Sequence, residues 1–145
     1  MKSKPFKIGY TAGVFDLFHI GHLNILRRSK EICDYLIVGV NTDEFTFSYK
    51  GKYPVIPYNE RAEIVKSIKY VDEVFPNISN DEWAVYNRYK YHVKTSGDDW
   101  LNTPPLLKFQ DEIKQRNLNI ELVYFPYTKG TSSSLLKKVL ENITK

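Results

Sequence analysis

The sequence predicts an α/β fold, a doubly wound parallel five-stranded sheet with helices on both faces. Three observations carry that expectation. An apolar strand, Phe6 to Ala12, runs through Gly13 into an amphipathic helix of about 12 residues that starts near His22. The continuous apolar run Tyr35 to Val40 follows, with the pattern of a parallel strand buried on both faces, and closes a β-α-β unit. Helix-length and strand-length segments then alternate along the rest of the chain.

After the second strand comes a polar loop, Asn41 to Tyr58, and then a helix from about Asn59 with Ala62, Val65 and Ile68 at helical spacing. A short strand is expected near Glu73 to Phe75. Ser79 is read as the cap of the next helix, which has acids in its first turn and runs towards Tyr89. A strand from Tyr91 to Ser96 stops at Gly97, and the pair Pro104 and Pro105 suits the first turn of a further helix carrying Leu106, Leu107 and Ile113. Asn119 to Phe125 is the last strand. Beyond a turn at Gly130, Ser132, Ser133 and Ser134 open a terminal helix. The expectation is therefore five strands and five helices, with no internal repeat and no low-complexity segment.

Composition sets limits on function. With 145 residues the chain fits a single domain, 1–145, and 42% hydrophobic with 26% charged residues is ordinary for a soluble globular protein. No apolar run approaches the roughly 20 residues of a membrane span. The start, Met1 to Pro5, lacks the apolar core of a signal peptide, so the protein reads as cytoplasmic. Cys33 is the single cysteine and is expected to pack in the core. A net charge of +4 suits a small anionic ligand, but the basic residues are too dispersed for a nucleic-acid-binding face.

His19 and His22 form the most informative motif, two imidazoles at i and i+3 where a helix begins after a strand. Each offers a nitrogen donor to phosphate oxygen, Gly21 lets a ligand approach the backbone, and the helix start adds unpaired N–H groups. The alternative is one surface and one core histidine. His92, inside a strand, reads as structural. Ligands of doubly wound sheets bind beyond the carboxyl ends of the strands. The stretches Gly13 to His22, Gly97 to Trp100 and Tyr127 to Ser133 all follow strands, and so should converge on one crevice.

Other residues carry two readings each. Lys50 and Lys52 are either solvated surface or mobile charges for a phosphate. Arg61 either reaches an anion or pairs with Glu60 or Glu63, and Asp72 either contacts a ligand or caps a turn. Asp98 and Asp99 are adjacent carboxylates, too few for a metal cage. Asp16 is expected to fix its loop, and the segment Thr128 to Ser134 offers a glycine turn and hydroxyls at a helix start.

Taken together, the stretch Gly13 to His22 resembles the signature of the cytidylyltransferase branch of the nucleotidyltransferase superfamily, and most resembles bacterial glycerol-3-phosphate cytidylyltransferases. Tyr35 to Phe45, Asn59 to Arg61, Tyr70 to Val74, Gly97 to Trp100 and Thr128 to Ser133 are similar to that family in the same order, so the likeness spans nearly the whole chain. It implies a Rossmann-like sheet and transfer of CMP from CTP to a phosphorylated alcohol with release of pyrophosphate. Glycerol 3-phosphate is then the expected acceptor, giving CDP-glycerol for a teichoic-acid-like or capsular polymer.

By the same resemblance His19, His22, Lys50 and Lys52 are catalytic. Gly13, Val14, Phe15, Gly21, Gly97, Asp99, Tyr127, Thr128, Thr131, Ser132 and Ser133 hold the nucleotide, and Arg61, Asp72 and Trp100 meet the acceptor. Magnesium is implied to arrive on the nucleotide phosphates rather than on protein ligands, and a homodimer is implied as the assembly. The chain departs from the pattern at Tyr127, where the family has arginine, at Thr131 for isoleucine and at Val14 for threonine. Lys129 is a candidate substitute for the missing guanidinium. Transfer to phosphocholine, phosphoethanolamine, a polyol phosphate or a phosphonate, adenylyl transfer, and a non-catalytic nucleotide-binding module are the alternatives.

Overall fold

The computed structural model describes residues 4–126 and 133–144. In chain order its elements are β1 (Phe6–Gly13), α1 (Ile20–Glu31), β2 (Cys33–Asn41), α2 (Asp43–Lys50), α3 (Tyr58–Lys66), β3 (Glu73–Asn77), α4 (Glu82–Tyr89), β4 (Val93–Gly97), a 3₁₀ turn (Asp98–Trp100), α5 (Pro104–Gln115), β5 (Glu121–Phe125) and α6 (Ser133–Thr144). The five strands form one sheet in the order β3-β2-β1-β4-β5. Every pairing is parallel. The order reverses between β1 and β4, which opens a crevice at the carboxyl ends of those strands.

Strand residues alternate between two cores, as a sheet covered on both faces requires. Tyr10, Ile37 and Phe75 pack with Val85 of α4 and with Phe109 and Ile113 of α5. Leu36, Val38, Val40 and Val93 pack with Leu26 of α1 and Val65 of α3. Cys33 is fully buried in the second core, where its sulfur lies where any side chain on Gly9 would sit: an added Cβ would fall 2.7 Å from it.

Two expectations are corrected. The polar loop contains a helix, α2, whose N-cap Thr42 accepts from the Phe45 N–H at 3.1 Å and whose end is closed by Gly51 at φ 71°. There are thus six α-helices among the described residues. The cap of α4 is Asp81, which accepts from the N–H groups of Trp83 and Ala84, while Ser79 accepts from the Asp81 N–H one turn earlier. Among the described residues no helix is long and apolar enough to cross a membrane.

Candidate active site

β1 delivers the chain to a loop, residues 14–19, that stands at the mouth of the crevice. Phe15 and Leu17 both hold positive φ, 55° and 49°, a conformation that bulky side chains rarely adopt and that persists only when neighbours fix it. Asp16 is the main fixture. It is 2% exposed, and its two carboxylate oxygens accept from the N–H groups of Val55 (2.7 Å) and Ile56 (2.9 Å). Lys137 of α6 lies 3.1 Å from the same carboxylate, and Ser133 Oγ donates to the Asp16 carbonyl at 2.6 Å. Burial alone would raise the Asp16 pKa, but the two backbone donors and Lys137 outweigh it and hold the carboxyl below its ordinary range. Asp16 thus fixes its loop, as expected.

The two histidines cap α1. His19 Nδ1 accepts from the Gly21 N–H at 3.0 Å, and His22 Nδ1 accepts from the His19 N–H at 3.2 Å. The rings stack with centroids 3.9 Å apart, and His22 packs edge-on against Phe15. Because both Nδ1 atoms are acceptors, the neutral rings carry their proton on Nε2, which leaves each with one N–H to donate. Burial pushes both pKa values down, and His22, with His19 and Lys50 adding to the effect, falls to about 3. Near neutral pH the pair is therefore two uncharged donors and not two cations.

Positive charge comes from lysines on other elements. Lys50, the last residue of α2, and Lys137 both border the crevice beside the histidines. Desolvation and then Lys137 lower the Lys50 pKa, with Asp16 opposing. The crevice has a volume of about 790 Å³. On the β4–β5 side its wall is Gly97, Asp99, Trp100, Pro105, Leu106 and Pro126. On the β2–β3 side the Asn77 amide donates to Asn41 Oδ1 at 2.9 Å, and Asn41 donates to the Tyr49 hydroxyl at 3.0 Å.

A family model described as cytidylyltransferase-like matches residues 10–139, which span this whole arrangement. The chain belongs to the cytidylyltransferase-like family. It is 36% identical over 135 residues to a glycerol-3-phosphate cytidylyltransferase of Bacillus subtilis (strain 168), covering 92% of this chain and 96% of that protein. It is also 32% identical over 145 residues to an FAD synthase of Thermococcus sibiricus, covering 98% and 95%. Among solved structures it resembles a lipopolysaccharide core biosynthesis protein of Thermoplasma volcanium, with a TM-score of 0.72, 26% identity, and coverage of 87% and 99%. These likenesses and the sheet order define a Rossmann-like nucleotidyltransferase fold.

Not every residue that the sequence singled out in this cytidylyltransferase-like chain reaches the crevice. Gly13, Val14, Phe15, His19, Gly21, His22, Lys50, Gly97, Asp99, Trp100 and Ser133 border it together. An added Cβ on Gly97 would fall 2.6 Å from Asp99 Oδ1, so any larger residue there would push that carboxylate aside. Tyr127, Thr128, Lys129, Thr131 and Ser132 lie outside the described residues. Lys52 is exposed and is not among the residues that border the crevice.

Arg61 and Asp72 stand elsewhere. Arg61 is 1% exposed and is neither a surface partner of Glu60 or Glu63 nor a wall of the crevice. Its guanidinium donates to the carbonyls of Ile56 (2.8 Å), Val14 (2.6 Å) and Asn41 (2.8 Å) and to Asp43 Oδ1 (2.6 Å). Asp72 precedes β3 at the amino end of the sheet, opposite the crevice, where it accepts from the Leu36 N–H at 2.7 Å and pairs with Lys30. His92 holds the sheet, accepting on Nδ1 from the Ile8 N–H at 3.2 Å.

Sequence reasoning passed over Lys137, Glu82 and Lys94, all of which border the crevice. A lysine in the expected strand Tyr91 to Ser96 was the available signal for Lys94. For a metal, the described residues contain no group of three or more His, Cys, Asp or Glu side chains placed to hold an ion, and both Asp16 oxygens are engaged by the protein. The donor set here does not fit a protein-held magnesium ion.

Proposed function

We propose that this protein transfers CMP from CTP to a phosphorylated alcohol, with glycerol 3-phosphate as the acceptor, releasing pyrophosphate and forming CDP-glycerol, the activated glycerol donor for a cell-surface polymer. The observation that carries the reading is the His19–His22 pair, two Nε2–H donors at a helix start, flanked by Lys50 and Lys137 at the carboxyl end of β1. In the reaction an acceptor phosphate oxygen bonds to the α-phosphorus as the bond from that phosphorus to the bridging oxygen breaks, and the electron pair leaves with pyrophosphate. No group on the protein need be covalently modified. The chain's task is to hold both phosphates in line and to stabilise the charge that spreads over the transferring group.

The division of the crevice supports this assignment. Trp100, Pro105, Leu106 and Pro126 offer a flat apolar wall suited to a base, while the side beyond β2 and β3 carries small polar groups suited to a short hydroxylated acceptor. Lys50 and Lys137 supply point charges to the triphosphate. Magnesium, if used, enters on the phosphate oxygens. A homodimer is part of the proposal through family resemblance.

The similarity to FAD synthases favours one second reading, adenylyl transfer to a flavin phosphate. Pyrophosphate release measured with CTP or ATP against glycerol 3-phosphate or flavin mononucleotide separates the two, with product mass as identification. Turnover with CTP and glycerol 3-phosphate supports the first reading. Turnover with ATP and the flavin replaces it.

A further inference from the structure

Lys94 lies on β4, under the crevice, with its side chain 8% exposed, and its ammonium pairs with Glu82 at the start of α4. The Tyr10 ring lies 5.2 Å below the charge. Both residues border the crevice, Lys94 from β4 next to β1 and Glu82 from the first turn of α4, and the pair leaves hydrogen-bonding capacity unused. Glu82 gives one oxygen to Lys94, while Oε2, shielded from solvent, has no partner among the described residues. A buried carboxylate oxygen without a donor is costly, and a lysine ammonium has three N–H groups to place.

We propose that Glu82 and Lys94 together read a hydroxyl on the carbon skeleton of the acceptor, which makes the acceptor a polyol phosphate. A hydroxyl is donor and acceptor at once, so it can give its proton to Glu82 Oε2 and take an N–H from Lys94 with the same oxygen. A primary ammonium has only donors and would stand beside the Lys94 charge. A quaternary ammonium has no donor at all. The neutral pair therefore discriminates against both of those head groups, while the acceptor phosphate is left to the histidines and lysines.

This inference rests on the proposed transfer reaction, and its test separates the two. The full chain is assayed with CTP and magnesium on glycerol 3-phosphate, on 1-propyl phosphate, which lacks the hydroxyls, and on phosphoethanolamine. The wild type is expected to favour glycerol 3-phosphate over propyl phosphate, and E82Q to shrink that preference by about tenfold or more, the loss of one hydrogen bond to a charged group. The double substitution E82L/K94M removes both charges together and leaves no lone buried charge, and it is expected to shrink the preference as far.

A preference that neither variant moves overturns the proposal. So does an equal loss on both acceptors, or wild-type use of phosphoethanolamine as efficient as that of glycerol 3-phosphate. If no acceptor yields pyrophosphate, the transfer reading fails. Calorimetric titration of the same three acceptors into wild type and variants then decides the inference alone: preferential binding of glycerol 3-phosphate that E82Q abolishes upholds it, and equal binding of all three sinks it.

Discussion

Arg61 Nη1 donates to the carbonyl oxygen of Val14 at 2.6 Å, across 47 residues of chain. The same guanidinium reaches the carbonyl of Asn41 and the carboxylate of Asp43, so one buried side chain joins the carboxyl ends of β1 and β2 to the first turn of α2. A guanidinium is the group that can do this, since it presents five donors in a fixed plane. The motif loop is therefore held from beneath by a residue that is not part of the crevice wall.

Replacing Arg61 by methionine leaves Asp43 and three carbonyls without their donor. A loss of about 3–5 kcal/mol is expected, read as a lower urea midpoint with unchanged slope. R61K should recover only a small part, because an ammonium cannot span the four acceptors. A variant of wild-type stability would show that the buried network is dispensable.

His22→Ala is expected to keep the fold and lower kcat by about 10² or more, the usual consequence of removing a preorganised donor to a developing charge. It also removes the acceptor for the His19 N–H, so stability should drop by about 1 kcal/mol, as for other lost helix caps. Steady-state pyrophosphate release and thermal melting separate the two effects. Near-normal turnover would refute the phosphate-stabilising role.

Stability should depend on pH through the same residue. In the unfolded chain His22 takes up a proton near 6.5, whereas in the folded protein it resists until about 3. Between those values the unfolded state holds more protons, so stability is full above pH 6.5 and falls as the pH is lowered towards 3. Urea midpoints at pH 7 and pH 5 should differ in that sense, and H22Q should flatten the difference. Nitrogen-15 spectra at pH 7 should show both rings protonated on Nε2 only.

The lysines should divide by position. K50M and K137M are each expected to raise the KM for CTP by about tenfold, in line with loss of a charge-assisted contact. K52M, at an exposed site outside the crevice, should move it less than either. An effect of K52M equal to that of K50M would show that the segment after α2 closes over the ligand.

Much of this architecture was legible in the residues, and the misses have physical reasons. Buried parallel strands announce themselves as apolar runs, so Phe6 to Ala12 and Tyr35 to Val40 were visible to within a residue or two. α2 was hidden because Phe45, Phe47 and Tyr49 alternate with a period of two, the pattern of a strand, while the Thr42 cap, the early acids and Gly51 gave the true reading. His19 and His22 were legible from spacing, but their tautomer and low pKa arise from a cap and a packing that spacing cannot show. Arg61 read either as an anion contact or as a surface partner of Glu60 or Glu63. Only the fold brings Asp43 and three carbonyls around it. The joint placement of Glu82 and Lys94 likewise depends on α4 packing over β4.

Asp16 and Ser133 meet across 117 residues, and Lys137 closes the same contact from one turn further along α6. During synthesis, then, β1 and the motif loop emerge long before the α6 residues that help to pin them. Phe15 and Leu17 are asked to hold left-handed backbone against their own preference, and the groups that compensate come partly from the segment 55–61 and partly from α6. A nascent chain halted before α6 keeps the holds of Val55, Ile56 and Arg61 on the histidine loop but lacks those of Ser133 and Lys137. Final seating of the histidine loop thus waits for α6 to dock against it.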